Sequence, residues 1–430
     1  MLSTITNFVL YHTPVFYLIQ SVWRDEAFSY FMAKPNLSQV VVNTANDFNP
    51  PLYYLLLHFW IKLVGKSDVG LRFLSFLPHL LSVYIAYLIG KKLASKKMAV
   101  FLSFFTFFNP MLLYYALEIR MYSWYALFVF ITFYFFYTKN WKWYIISGVL
   151  GLYTHSFFPF IFLAFISYLF LSGQANKKNV FYTATPFIFY LPWLPILIVQ
   201  FFNSTNSWMF PVDFQLLKSV LGNLFTGFEG TPGNWWGYSG IISLFIIATI
   251  LPAFFYKKKQ FFLVVTPILL PLILILSYSI IKRPIYVNRY LIFVTVFEII
   301  AIMLGIYSIR NKNIKNALCF FWLVFVITLN VSLSPYHKKT DFKTSFYEIN
   351  KLANPEDFVF TKTPIGFLES VYYFRDEQRV FVYNPNKIAI PNYIGVNIVF
   401  PNISKTSFPQ NSRSFLVADD ASYEVVIKDL

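Results

Sequence analysis

Two carboxylates stand side by side in WRDEAFSY (23–30): Asp25 and Glu26, directly after the first apolar run of a very hydrophobic chain. A held carboxylate can take the proton of a hydroxyl whose own pKa lies far above neutrality, as a new bond forms at that oxygen. Other chemically able groups follow. Asp47 and Asn49 occur in DFNPPLYYLLLHFWIKLVG (47–65), and Glu118 and Arg120 in YYALEIRMYSWYAL (114–127). His155 lies in LYTHSFF (152–158), and Lys282, Arg283 and Arg289 lie in IKRPIYVNRY (281–290). Arginine presents a planar fork of donors that fits phosphate oxygens, so the last group could neutralise a phosphate.

Each group also has a plainer reading. Asp25 could sit in a solvated interfacial turn. Glu26 could orient its neighbours, bind an acceptor or form a structural salt bridge. Asp47 precedes a helix restart at Pro50–Pro51, where an aspartate cap is ordinary chemistry. Glu118 and Arg120 are two residues apart and lie on different helix faces, which favours separate partners over a local ion pair. His155 could be a hydrogen-bonded structural residue or a ligand. The three cations of 282–289 could contact lipid headgroups. No His, Asp, Glu or Cys cluster has metal-ligand spacing, so no metal site is expected.

The elements that position these residues belong to a membrane protein. Of 430 residues, 57% are hydrophobic and 13% charged, against about a quarter charged in soluble proteins. The abundant Phe reads as biased composition rather than an aromatic binding site. The single cysteine, Cys319, excludes a disulfide framework. The formal charge of +16 could suggest nucleic acid, but residues 1–334 hold 24 basic and 8 acidic residues while 335–430 hold 11 of each. A basic excess confined to the apolar part is what orientation in a bilayer produces, so no nucleic-acid partner is expected.

About eleven apolar runs approach the roughly 20 residues of a transmembrane helix: 3–21, 72–90, 99–115, 121–137, 143–157, 158–171, 180–200, 239–256, 261–281, 290–308 and 316–334. Five connections at alternate ends (90–97, 138–142, 176–178, 257–259 and 310–315) carry fourteen Lys or Arg and no acid. By the positive-inside rule those ends are cytoplasmic, as is the N-terminus. Seven of the eight acids of residues 1–334 then face the outer side; Glu298 falls inside a span, where it marks a cavity, a partner or a protonated hydrogen bond. The expected architecture is an α-helical polytopic membrane domain over 1–334, with an outer first loop of interfacial helices at 22–71. A small soluble α/β domain outside the membrane follows at 335–430, with a helix near 341–353 and strands near 357–363 and 379–384.

WRDEAFSYFMA, DFNPPLYYLLLHFWIKLVG and LRFLSFLPHLLSVYIAYLIGKKL together resemble bacterial membrane glycosyltransferases of the GT-C superfamily. The likeness is to the branch of protein O-mannosyltransferase-like and aminoarabinose transferase-like enzymes. YYALEIRMYSWYAL, LYTHSFF, NRYLIF and FKTSFYEINKLANPEDFVF also resemble family segments. The resemblance implies transfer of a sugar from a polyprenyl-phosphate carrier to an acceptor hydroxyl outside the cytoplasm, usually with inversion. The first acid of the loop, Asp25, is then the general base. Glu26, Asp47, Asn49, Tyr53, Glu118, Tyr122 and His155 would line the acceptor side. Arg120, Lys282, Arg283, Arg289 and Tyr290 would hold the donor phosphate. Asn49 stands where His often precedes the two prolines, and Leu117 where Gln is usual. The acceptor could be a glycan, a lipid or a protein; no cofactor is assigned, and a divalent cation stays open.

Two other classes compete. A transporter or flippase for a lipid-linked sugar tends to carry internal repeats and paired broken helices, and no repeat is evident. A non-catalytic scaffold leaves the carboxylate pair without a purpose.

Overall fold

The computed structural model describes residues 2–203, 209, 211–230, 233–410 and 412–427. Most of them are helical. Five helices are long and apolar enough to cross a membrane: Asp68–Leu93, Trp235–Tyr256, Lys258–Ile281, Asn288–Ser308 and the one beginning at Lys312. Two bent pairs raise the number to seven if each is one span: Lys96–Phe108 with Pro110–Ala116, bent by 56°, and Lys177–Tyr190 with Leu194–Phe202, bent by 76°. Helix length alone, among the described residues, thus gives fewer spans than the eleven apolar runs. Helices Tyr122–Thr138, Trp141–Leu152 and Pro159–Leu171 are apolar but only 17, 12 and 13 residues long. The initial run is divided by a break around Pro14 into Leu2–Tyr11 and Val15–Ile19.

The breaks have local causes. Pro110 has no N–H to continue a helix and sits comfortably in the first turn of the next one. Asn109 before it caps that turn, accepting from Leu112 N–H at 3.1 Å while its amide donates to the Phe225 carbonyl at 3.1 Å.

The chain forms two compact units. The first comprises residues up to Phe16, Phe48–Tyr53 and Arg72–Tyr336. Its centre is helix Asn288–Ser308, whose apolar stretch is 94% buried. Gly305 permits close approach of a neighbouring helix: a Cβ there would stand 2.0 Å from the Thr249 carbonyl oxygen.

The second unit comprises Tyr17–Asp47, Tyr54–Leu71 and the residues from His337 onward. Its sheet runs β3(Ser404–Lys405)-β2(Val380–Tyr383)-β1(Phe358–Thr361)-β4(Arg413–Val417)-β5(Tyr423–Ile427). The pairs are parallel except β4 with β5. β1 is flanked on both edges, with Phe360 opposite Phe381 and Leu416, and reads as an uninterrupted apolar run for that reason. Helices Phe342–Leu352 and Phe367–Tyr373 flank it in sequence.

Helix Arg24–Ala33 belongs to this second unit and lies within the outer loop expected at 22–71. All of its residues from Glu26 to Ala33 are buried. The tail covers the face that sequence alone would leave to water: Tyr30 meets Tyr372 edge-on at 5.3 Å, and Phe31 meets Phe400 at 4.9 Å. Helix Leu52–Val64, restarted after Pro51, buries Tyr53, Tyr54 and Leu57 while Phe59 and Leu63 remain exposed. It is too short to span, and it shows apolar side chains on its uncovered face.

Candidate active site

In the second unit, Arg24, Asp25 and Glu26 form the first turn of helix Arg24–Ala33, with Trp23 as its cap residue. Neighbouring side chains on a helix diverge by about 100°, so the two adjacent carboxylates part company. Glu26 turns inward and is fully buried. Its Oε2 accepts from Trp23 N–H at 3.3 Å and lies 3.0 Å from Lys339 Nζ, itself 6% exposed. Asp25 keeps 18% side-chain exposure, with Arg24 Nε 3.6 Å from Oδ1. Both acids lie at the positive end of the helix dipole, which favours their ionised forms.

Sequence reading missed a third carboxylate. Glu369 of helix Phe367–Tyr373 is buried, and its Oε2 has no hydrogen-bond partner among the described residues. Burial pushes its pKa from 4.5 up to about 8, the Arg24 charge and backbone N–H groups oppose the rise, and the Asp25 charge adds to it. Nothing in FLES of the tail announces an acid within electrostatic reach of a loop some 340 residues earlier. Asp47, also buried, accepts from Tyr54 O–H at 3.4 Å.

In the first unit, several of the expected residues converge. Glu118, Arg120 and Tyr122 are all buried in the short connection and helix start that follow Pro110–Ala116. Arg120 lies over the Tyr122 ring at 5.6 Å, Tyr122 meets Tyr115 at 4.9 Å, and His155 is 5.9 Å from Tyr122 and 5.4 Å from Tyr290. Ser75 Oγ donates to the Arg120 carbonyl at 3.0 Å and stands 3.5 Å from Tyr53 Oη. Asn49 is buried in this unit too, where Ser156 donates to the Phe48 carbonyl at 2.7 Å.

His155 is fixed as a neutral imidazole. Its Nδ1 accepts from Phe157 N–H at 3.1 Å, which leaves the ring proton on Nε2, and Tyr125 stacks on it at 4.5 Å with planes 8° apart. Its Nε2 is buried without a hydrogen-bond partner among the described residues.

Arg289 and Tyr290 open the buried helix Asn288–Ser308. The Arg289 guanidinium lies 3.2 and 3.3 Å from the two oxygens of Glu229, whose Oε1 also accepts Tyr115 O–H at 2.9 Å. Glu229 was visible in the sequence only as another outer acid; its separation of sixty residues from Arg289 gives no pairing signal. Arg283 does not join the cluster. It donates to the Phe201 carbonyl at 2.8 Å and lies over that ring, while Lys282 is an exposed residue just past helix Lys258–Ile281. Glu298 is buried within its span, and neither carboxylate oxygen is hydrogen-bonded among the described residues. Those residues also hold no group of three or more His, Cys, Asp or Glu placed to bind a metal ion.

The first unit is built around a buried central helix, and the second joins the acidic loop segment to an α/β sheet. Part of the chain matches a mannosyltransferase family model, and its fold is that of solved ArnT and oligosaccharyltransferase structures. The family model described as dolichyl-phosphate-mannose-protein mannosyltransferase matches residues 49–199. Two crystal structures of ArnT from Cupriavidus metallidurans match 97% of this chain and 92% of their own. The apo state does so with a TM-score of 0.60 at 11% identity, and the state bound to undecaprenyl phosphate with 0.61 at 12%. An oligosaccharyltransferase from Archaeoglobus fulgidus, tethered with an acceptor peptide, matches 84% of this chain and 60% of its own, with a TM-score of 0.51 at 14% identity. Among curated proteins, none matches. The chain is an integral membrane protein with this fold.

Proposed function

We propose that this protein transfers a sugar, with inversion, from a polyprenyl-phosphate carrier to an acceptor hydroxyl, with Asp25 as the general base. The acceptor oxygen attacks the anomeric carbon while the bond from that carbon to the phosphate oxygen breaks. The acceptor proton passes to Asp25, and the carrier phosphate leaves as an anion that needs no general acid. Arg289 and Arg120 supply positive charge for that phosphate together with Tyr290, and His155 serves the acceptor side. Glu118, Tyr122, Asn49, Tyr53 and Asp47 serve the acceptor side. The ArnT structure holding undecaprenyl phosphate supports the choice of carrier.

One observation carries the base assignment. Of the adjacent pair, Glu26 is closed off in an ion pair with Lys339, whereas Asp25 retains exposure at a helix N-terminus that favours its charged form. Charge asymmetry of the connections supports a reaction on the extracytoplasmic face. The acceptor class is a glycan, lipid or protein hydroxyl. The test is purified protein offered a panel of polyprenyl-phosphate sugars and acceptors, with released carrier phosphate measured. Release that requires acceptor and disappears in Asp25→Asn supports the reading. Intact donor with every pair, or equal release by the variant, rejects it. Chelation in the same assay decides whether a divalent cation takes part.

A further inference from the structure

A cavity of about 420 Å³ lies at the end of the first unit that carries the basic connections 90–97, 138–142 and 176–178. None of its eleven lining residues has a role in the proposed transfer, and none is acidic. Two are lysines from different helix ends: Lys92 in the last turn of Asp68–Leu93, and Lys139 just past Tyr122–Thr138. Lys139 adopts a left-handed backbone with φ of 55°, a conformation that non-glycine residues seldom take.

The rest of the wall is already ordered. Trp141 stacks on Tyr182 at 5.4 Å with planes 15° apart. Asn179 Nδ2 donates to the Gln174 carbonyl at 2.9 Å, and Gln174 Nε2 reaches the Tyr168 hydroxyl at 3.4 Å. Beside it, Phe170 and Leu171 at the end of helix Pro159–Leu171 are exposed apolar side chains. The volume falls in the range of small-molecule sites. Its chemistry combines two cations, no acid, amide side chains and an aromatic wall.

We propose that this cavity binds an anionic phosphate group, carried by a phospholipid headgroup or free in solution. Paired lysines on separate helices supply the charge match, and Trp141 supplies the amphipathic ring that suits the headgroup level of a bilayer.

The test uses the full chain in detergent, freed of lipid and then given phosphatidylglycerol or phosphatidylcholine at equal concentration. Bound lipid is read by native mass spectrometry. Wild type should retain phosphatidylglycerol over phosphatidylcholine by about tenfold or more, and Lys92→Gln/Lys139→Gln should lose that preference. Lys142→Gln/Lys178→Gln, which removes the same charge outside the cavity, should keep it. Millimolar inorganic phosphate that leaves the lipid bound identifies the headgroup as ligand; displacement identifies free phosphate as a competitor for the same site. A cavity variant that still retains the anionic lipid, or a control that loses it equally, overturns the proposal. Thermal unfolding of lipid-free protein checks folding, and Lys139→Gln alone is read where the double variant unfolds.

Discussion

Lys339 Nζ lies 3.0 Å from Oε2 of Glu26, with both side chains almost fully buried. A residue of the tail thus neutralises one of two adjacent acids in the first loop, and the Trp23 ring lies 5.5 Å from the same ammonium. The pair assigns different fates to two carboxylates that the sequence presents as equals.

Breaking this pair from one side strands a buried charge, at a cost of about 3–5 kcal/mol. Lys339→Met is expected to lower the unfolding midpoint in detergent sharply. Lys339→Met combined with Glu26→Gln should recover much of that loss. A double variant as unstable as the sum of the singles would show that the two side chains do not depend on each other.

Glu369 gives a pH dependence whose sign follows from its environment. Its folded pKa of about 8 lies above the ordinary 4.5, so it holds a proton more tightly in the folded state. Its favourable contribution is complete below pH 4.5 and is lost as pH rises through about 8. Glu369→Gln is therefore expected to flatten the fall in unfolding midpoint between pH 5 and 9. Parallel curves for wild type and variant would contradict this.

Parts of the fold were legible from local sequence, and what was not has a physical reason. The helix restart at Pro50–Pro51, the basic connections and the strand runs that coincide with β1 and β2 depend on neighbours within a few residues. The burial of residues 26–33 did not show, because that face of the helix is covered by residues 372 and 400. Lys339 and Glu229 were equally hidden, since a charge gives no sign of which distant charge it will meet. Of the arginines in IKRPIYVNRY, Arg289 starts the buried helix, whereas Arg283 donates to the Phe201 carbonyl.

Arg289 already faces Glu229, so a phosphate must compete with that carboxylate for the guanidinium. Arg289→Gln is expected to weaken undecaprenyl phosphate binding about tenfold or more. Glu229→Gln should leave binding equal or tighter. Equilibrium binding to both variants checks this, and tighter binding by Arg289→Gln would remove the residue from the phosphate site.

Gly305 faces the Thr249 carbonyl so closely that even a methyl group has no room. Gly305→Ala should separate the two helices and cost about 1–3 kcal/mol. Gly240, whose Cβ would meet open space, should accept alanine with little change in unfolding midpoint. Equal midpoints for the two variants would contradict the contact.

The most direct test is the transfer rate of Asp25→Asn with a polyprenyl-phosphate sugar that wild type uses. The amide keeps the size of the side chain and removes its ability to take a proton. A folded variant that binds donor normally but transfers at least a hundredfold more slowly is the predicted result. Wild-type turnover by that folded variant would contradict the assignment of Asp25 as the base.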